Sequence, residues 1–163
     1  MRALIVSLLL SMPVNTLVQS CGEPKPIYMQ TSTASESSYA IDSTGQLTYW
    51  GDGAEFPPDG QYTYVGAGLL HQCAIRTDNT LTCWGDDTWG QVSTNPTGEF
   101  GQLSVGYYSN CALTVDGNAV CWGFNASSQA SPPTDVLFSS VSVGYTTSCG
   151  ITLDALNYET LQA

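Results

Sequence analysis

Cys111-Ala-Leu-Thr-Val-Asp-Gly-Asn-Ala-Val-Cys121-Trp122-Gly123 is written more than once in this chain. One copy earlier it reads Cys73-Ala-Ile-Arg-Thr-Asp-Asn-Thr-Leu-Thr-Cys83-Trp84-Gly85. Before that it reads Tyr39-Ala-Ile-Asp-Ser-Thr-Gly-Gln-Leu-Thr-Tyr49-Trp50-Gly51. A fourth copy opens at Cys149-Gly-Ile-Thr-Leu-Asp154 and then loses the pattern. The anchors at 39, 73, 111 and 149 are 34, 38 and 38 residues apart. A fixed period of that size signals a repeat architecture.

Each copy reads as short strands. Cys-Ala-Leu-Thr-Val is one, and Ala-Val-Cys-Trp is another. Asp116-Gly117-Asn118 between them is a turn, because Gly and Asn accept positive φ. A third apolar strand precedes them, with Tyr64-Val-Gly-Ala-Gly68 set in line with Ser104-Val-Gly-Tyr-Tyr108 and Ser142-Val-Gly-Tyr-Thr146. After residue 20 no stretch holds a 3.6-residue apolar period long enough for a helix. Several strands in a period of about 40 residues give an all-β fold of propeller-type blades. The reading is three repeats plus a partial fourth, an incomplete ring.

The pattern Cys-Ala-Leu-x-x-Asp-Gly-x-x-x-Cys-Trp-Gly-x-Asn resembles the repeat of the regulator of chromosome condensation family in its cysteine-paired extracytoplasmic form. The resemblance covers roughly residues 37 to 154. It implies a β-propeller of four-stranded blades, normally about seven, that serves as a platform for binding other proteins. One relative inhibits β-lactamases and the nuclear member acts on a small GTPase. Neither activity carries over, because fold does not carry function.

Residues 1–20 have the form of a secretion signal, with Arg2 ahead of an apolar run too short to span a bilayer. Cys21 then sits where a bacterial lipoprotein is acylated, so the membrane is reached only through a lipid anchor. Residues 21–36 read as a polar tether that can include the first strand of the first blade. Residues 37–163 hold the repeats, divided at 37–68, 69–106, 107–144 and a partial 145–163. The alternative at the leader is ordinary cleavage after Ser20.

Cysteine usage fits export. Cys73 with Cys83, and Cys111 with Cys121, flank one turn on adjacent strands, about 5 Å apart across the ladder and within reach of a disulfide. Each bridge closes a loop of about ten residues and stabilises by about 2–3 kcal/mol. Tyr39 and Tyr49 stand at the same two sites in the first copy, where a packed aromatic pair replaces the bridge. Cys149 is left without a partner. Zinc is disfavoured by the ten-residue spacing and the single histidine.

Composition excludes several roles. There are 14 acids against three Lys and Arg, a net charge of −11. Losing the leader removes Arg2 and no acid, which takes it to −12. Nucleic-acid binding needs clustered cations, and none exist. His71, the single histidine, has no nucleophile elbow to serve and reads as a surface turn residue. Gly66-Ala-Gly68 is no phosphate loop, and neither Asp86-Asp87 nor Asp52-Gly-Ala-Glu55 matches a calcium loop. Asn125-Ala-Ser127 fits a glycosylation sequon, relevant only in a eukaryotic secretory pathway. No cofactor or metal is expected.

Trp50, Trp84 and Trp122 recur at one position and are expected to pack between blades. The turn after Val-Gly carries Leu69, Leu70 and His71, then Tyr107 and Tyr108, then Tyr145. Equivalent turns of successive blades line one rim, so these residues form a candidate binding rim, or else stack on one another between blades. Trp89 and Phe124 follow Trp-Gly and are expected on the other rim. The functional expectation is a non-enzymatic extracytoplasmic interaction module for an unknown protein partner, with self-association to complete the ring. The rival readings are an envelope hydrolase of glycan or peptide, and a truncated fragment without independent function.

Overall fold

The computed structural model describes residues 26–34 and 36–153. The leader, Cys21 and the segment after residue 153 lie outside them. Eleven strands make up the described fold, and no helix occurs among the described residues.

Three antiparallel sheets of three strands follow one another along the chain, then a sheet of two. The first holds β1 (Tyr28–Thr33), β2 (Ser38–Asp42) and β3 (Leu47–Trp50). The second holds β4 (Tyr62–Ala67), β5 (His71–Arg76) and β6 (Leu81–Gly85). The third holds β7 (Phe100–Val105), β8 (Ser109–Thr114) and β9 (Ala119–Gly123), and the last holds β10 (Phe138–Val143) and β11 (Ser148–Thr152). Each sheet is a meander of neighbouring strands, the order expected of a propeller blade. The resemblance implied four strands per blade; the described sheets stop at three, and loops fill the remainder of each repeat.

The blades begin one strand earlier than the repeat frame. β1, β4, β7 and β10 each open a sheet, so β1 supplies the first strand from within residues 21–36. All four carry the same irregularity after their first residue, between Tyr28 and Gln30, Tyr62 and Tyr64, Phe100 and Gln102, and Phe138 and Ser140. These four strands contact one another in series and form the inner edge of the arc.

The hairpin turns correct one alignment. Gly68 N–H donates to His71 O at 2.8 Å, as Gly106 does to Ser109 and Gly144 to Thr147. Ala67-Gly68, not Val65-Gly66, therefore matches Val105-Gly106 and Val143-Gly144.

The seams between blades form the core. Trp84 lies edge-on to Tyr39 of the preceding blade, with ring centroids 6.0 Å apart, in a cluster with Ile41, Tyr62 and Val65. Trp122 lies with Cys73, Ile75, Leu81 and Phe100 in the next seam. Trp50 departs from the expectation and is 51% exposed. Each indole packs backward onto the blade before it, and no described blade precedes the first.

Polar side chains join two of the seams. Gln30 accepts from Val65 N–H and donates to Val65 O, and Ser32 accepts from Ala67 N–H. Gln102 and Ser104 accept in the same way from Val141 and Val143 N–H. At the middle seam Gly66 stands at the serine position. A Cβ built there would meet Val105 Cγ2 at 2.6 Å, so side-chain packing closes that seam instead.

Both expected disulfides are formed. Cys73 and Cys83 face each other in register, as do Cys111 and Cys121, with Cα atoms 4.1 and 4.0 Å apart. Tyr39 and Tyr49 occupy the same register position in the first blade and stack at 6.2 Å. Cys149 is free and exposed on β11.

Candidate interaction rim

Two kinds of loop meet at one end of the arc. The first is the two-residue turn between the inner and middle strands, which carries Leu69-Leu70, Tyr107-Tyr108 and Tyr145-Thr146. These turns are tied to each other, because Leu69 N–H donates to Tyr107 O at 3.2 Å and Tyr107 N–H to Gly144 O at 3.4 Å. The second is the loop after Trp-Gly. The ladder pairs His71 with Gly85 and Ser109 with Gly123, so this loop leaves the sheet beside the first turn. Gly85 and Gly123 have φ of +98° and +94°, and a Cβ there would stand 2.6 Å from Leu70 O and Tyr108 O. The glycine after each tryptophan is thus what lets the two loops touch.

Trp89 and Phe124 accordingly share the rim with the tyrosines. The expectation of a second, opposite rim is corrected by the hairpin register. Ring contacts run Trp89–Phe124 at 4.8 Å, Phe124–Tyr108 at 6.3 Å, Tyr108–Tyr107 at 5.0 Å and Tyr107–Tyr145 at 4.9 Å. Edge-to-face pairs of this kind are each worth about 0.5–1.5 kcal/mol beyond burial. The rings therefore hold one another, which was the alternative to a binding rim. They also remain open to solvent: Trp89 is 50%, Tyr107 42% and Tyr145 59% exposed. Leu70, also at this end, is exposed. Beside the ridge the turns of all four blades enclose a hollow of about 470 Å³, lined by Ala67, Val105, Val143 and the turn glycines.

His71 does not belong to the rim surface. It is the first residue of β5 and fully buried, contrary to the reading of a surface turn residue. Its Nε2 lies 2.8 Å from Asn110 Oδ1. Asn110 spends its amide N–H on Gln91 O at 3.1 Å, so its oxygen accepts and His71 Nε2 carries the proton. Burial pushes the His71 pKa below its usual 6.5, against a smaller upward pull from Asn110 and Asp86. The imidazole is a neutral link between blades two and three.

Gln91 and Gln129 are buried residues that the sequence reading passed over. Each follows its tryptophan by seven positions, and that recurrence was the available signal. Gln91 Oε1 accepts from Trp89 N–H at 2.7 Å and its Nε2 donates to Asp86 at 2.7 Å, which folds the loop that presents Trp89. Its backbone oxygen accepts from Trp122 Nε1–H at 2.9 Å. Gln129 Oε1 accepts from Ser127 N–H at 2.8 Å in the same way. Asp87 accepts from Val92 and Ser93 N–H, and those bonds, Ser93 first, hold its carboxyl below the usual range. Asp86-Asp87 therefore serves loop structure. Among the described residues no group of three His, Cys, Asp or Glu is placed to hold a metal ion.

Residues 102–129 match the regulator of chromosome condensation (RCC1) repeat. No curated protein matches the chain. Among solved structures it is similar to the ectodomain of the Physcomitrella patens receptor kinase CR4, with 25% identity over 82% of this chain and 40% of that one, at a TM-score of 0.71. It is also similar to the CRINKLY WD40 ectodomain of the Arabidopsis thaliana receptor kinase ACR4, with 25% identity over 78% of this chain and 46% of that one, at 0.65. Yeast RCC1 (Prp20), solved with Kap60 bound, is 18% identical over 79% of this chain and 42% of that chain, at 0.64, and shares the fold. The chain spans less than half the length of these structures. The described sheets share the β-propeller fold of these structures, and residues 102–129 are an RCC1-type repeat within it.

Proposed function

We propose that this chain is a non-enzymatic protein-interaction module that works outside the cytoplasm and binds its partner through the aromatic rim. The observation that carries the reading is the continuous ridge Trp89–Phe124–Tyr108–Tyr107–Tyr145 beside the turn-lined hollow. Large rigid rings open on one side are the residues that dominate protein interfaces. Their mutual contacts fix their rotamers before binding, which lowers the entropy cost of association.

Two disulfides support an oxidising compartment, and the likeness to two receptor ectodomains points the same way. The anchor we propose is an acyl group on Cys21 at a bacterial envelope. Intact mass of the protein from its native membrane fraction tests it, and an unmodified Cys21 overturns it.

The rim is tested by cross-linking the native protein in its membrane, alongside a Tyr107→Ala/Tyr145→Ala variant. The expected result is a discrete cross-linked partner that the variant loses at least about tenfold with its melting temperature kept. Equal recovery by both proteins would remove the rim from the binding surface.

A further inference from the structure

The turns at the rim change chemistry from blade to blade. Ala34 N–H donates to Ser37 O as Gly68 does to His71 and Gly106 to Ser109, which sets Glu36 in line with Leu70 and Tyr108. Gly53 N–H donates to Glu36 O at 3.2 Å, so Asp52 stands beside that turn as Asp86 stands beside Leu70. Glu36, Asp52 and Asp87 are exposed. The rim therefore runs from carboxylates on the first two blades to the ridge of rings. Ala34 of the first turn lines the same hollow as Tyr107 and Tyr145.

No cation at this end balances those acids among the described residues. Arg76 is the only Lys or Arg described, and it lies at the far end of β5, over the Tyr62 ring and donating to Asp59 O. The whole sequence has three Lys and Arg for 14 acids, so most carboxylates lack a counter-charge in any arrangement. A guanidinium suits both parts of this surface. Its planar fork pairs with carboxylates, and it stacks on aromatic faces better than an ammonium does. Trp89 and Tyr107 are 50% and 42% exposed, which leaves ring surface for that stacking.

We propose that the rim docks an arginine-rich extended segment of a partner protein. Guanidinium groups stack on Trp89 and Tyr107, and the remaining charges lie against Glu36, Asp52 and Asp87. This names the kind of partner for the aromatic rim and rests on that reading. The acids draw the segment in, and the rings hold it once bound.

The probe is a blocked peptide of four Gly-Arg pairs, titrated calorimetrically into the native chain. The same peptide with lysine or glutamate in place of arginine is run beside it. Saturable binding of the arginine peptide is expected, at least about threefold tighter than the lysine peptide, with none of the glutamate peptide. Raising salt from about 0.05 M to about 0.5 M should weaken it at least about tenfold. Trp89→Ala/Tyr107→Ala should weaken it at least about fivefold. Glu36→Gln/Asp52→Asn should do the same at low salt. Glu99 precedes β7 and Asp116 follows β8, at the opposite end. Glu99→Gln/Asp116→Asn removes equal charge there and should change the affinity less than about twofold. If the ring variant does not fold, the two acid pairs still decide.

No saturable binding, a lysine peptide bound as tightly, equal losses for the two acid pairs, or full affinity in the ring variant would each overturn the proposal. None of these readings needs the native partner. A cross-linked partner that the Tyr107→Ala/Tyr145→Ala chain loses, beside an arginine peptide that does not bind, would keep the rim and overturn its basic partner.

Discussion

The second and third seams are made from the same repeat, yet among the described residues the second is covered by a third strand and the third is not. At the second, β8 is buried along five of its six residues and Trp122 covers the Cys73–Cys83 bridge. At the third, β11 is exposed throughout and the indole place is a cavity. The inner strands do not differ in kind, since Phe100 and Phe138 are both buried. Among the described residues, what differs is the third strand with its tryptophan. A blade in this chain is thus closed from its outer side, by the residue that follows the second cysteine position. Inner strands alone set the blades side by side without sealing them.

The sharpest way to break this comparison is Trp122→Ala. It removes a buried indole, its hydrogen bond to Gln91 O and the cover of a core cluster. A loss of about 3–5 kcal/mol is expected by chemical denaturation. Trp50→Ala, at the same repeat position but exposed, should stay within about 0.5 kcal/mol. Similar losses for the two would mean that the seam is not what the tryptophan stabilises.

Covalent closure comes next. Replacing both Cys73 and Cys83 by serine should cost about 2–3 kcal/mol, the chain-entropy value for a ten-residue loop. Cys149→Ser should move the midpoint by no more than about 0.5 kcal/mol, because that thiol is free and exposed. A penalty at Cys149 equal to that at the paired cysteines would show that it is bonded in the native protein.

A smaller effect reports on the polar link across the second seam. The folded state holds His71 below its usual pKa, so the unfolded chain binds the proton more readily. Stability is therefore complete above about pH 6.5 and declines as pH falls below it. Asp42, Asp78 and Asp87 are held below 3.8, chiefly by hydrogen bonds from Thr44, Thr80 and Ser93. Their contribution is lost only at more acid pH, below that value. His71→Ser, which installs the residue found at Ser37 and Ser109, should abolish the decline between pH 6.5 and 5 and leave the acid limb. Unchanged slopes in both ranges would contradict the buried neutral imidazole.

The repeat, the strands, the turns and both disulfides were legible, because each rests on local spacing: ten residues between cysteines, a turn pair, Trp-Gly. The misreadings share one cause. His71 and Trp50 were judged by residue type and repeat position, while their burial is set by the neighbouring blade. His71 is buried because Asn110 of the next blade receives it. Trp50 is exposed because no described blade backs it. Trp89 and Phe124 were assigned to the far rim because the ladder that folds the Trp-Gly loop back beside the tyrosine turn is a pairing between strands. Gln91 and Gln129 were visible as a recurrence, but polar residues in loops draw no attention until their burial is seen.

The smallest prediction concerns those same loops. Gly90 and Ser128 hold one position in consecutive repeats, immediately before Gln91 and Gln129, inside the turn that each glutamine closes. Both have left-handed backbones, with φ of 75° and 61°. Glycine adopts that region without penalty, whereas serine there carries strain of about 1 kcal/mol or more. Ser128 is exposed, so its side chain has no packing to lose. Ser128→Gly gives back part of the strain and adds freedom to the unfolded chain, which opposes it. The balance should be a gain of a few tenths to about 1 kcal/mol, read as a raised denaturation midpoint with an unchanged slope. Gly90→Ser should move the other way by a comparable amount. If Ser128→Gly destabilised the protein, the two loops would not be equivalent, and the likeness between the second and third seams would end at the strands.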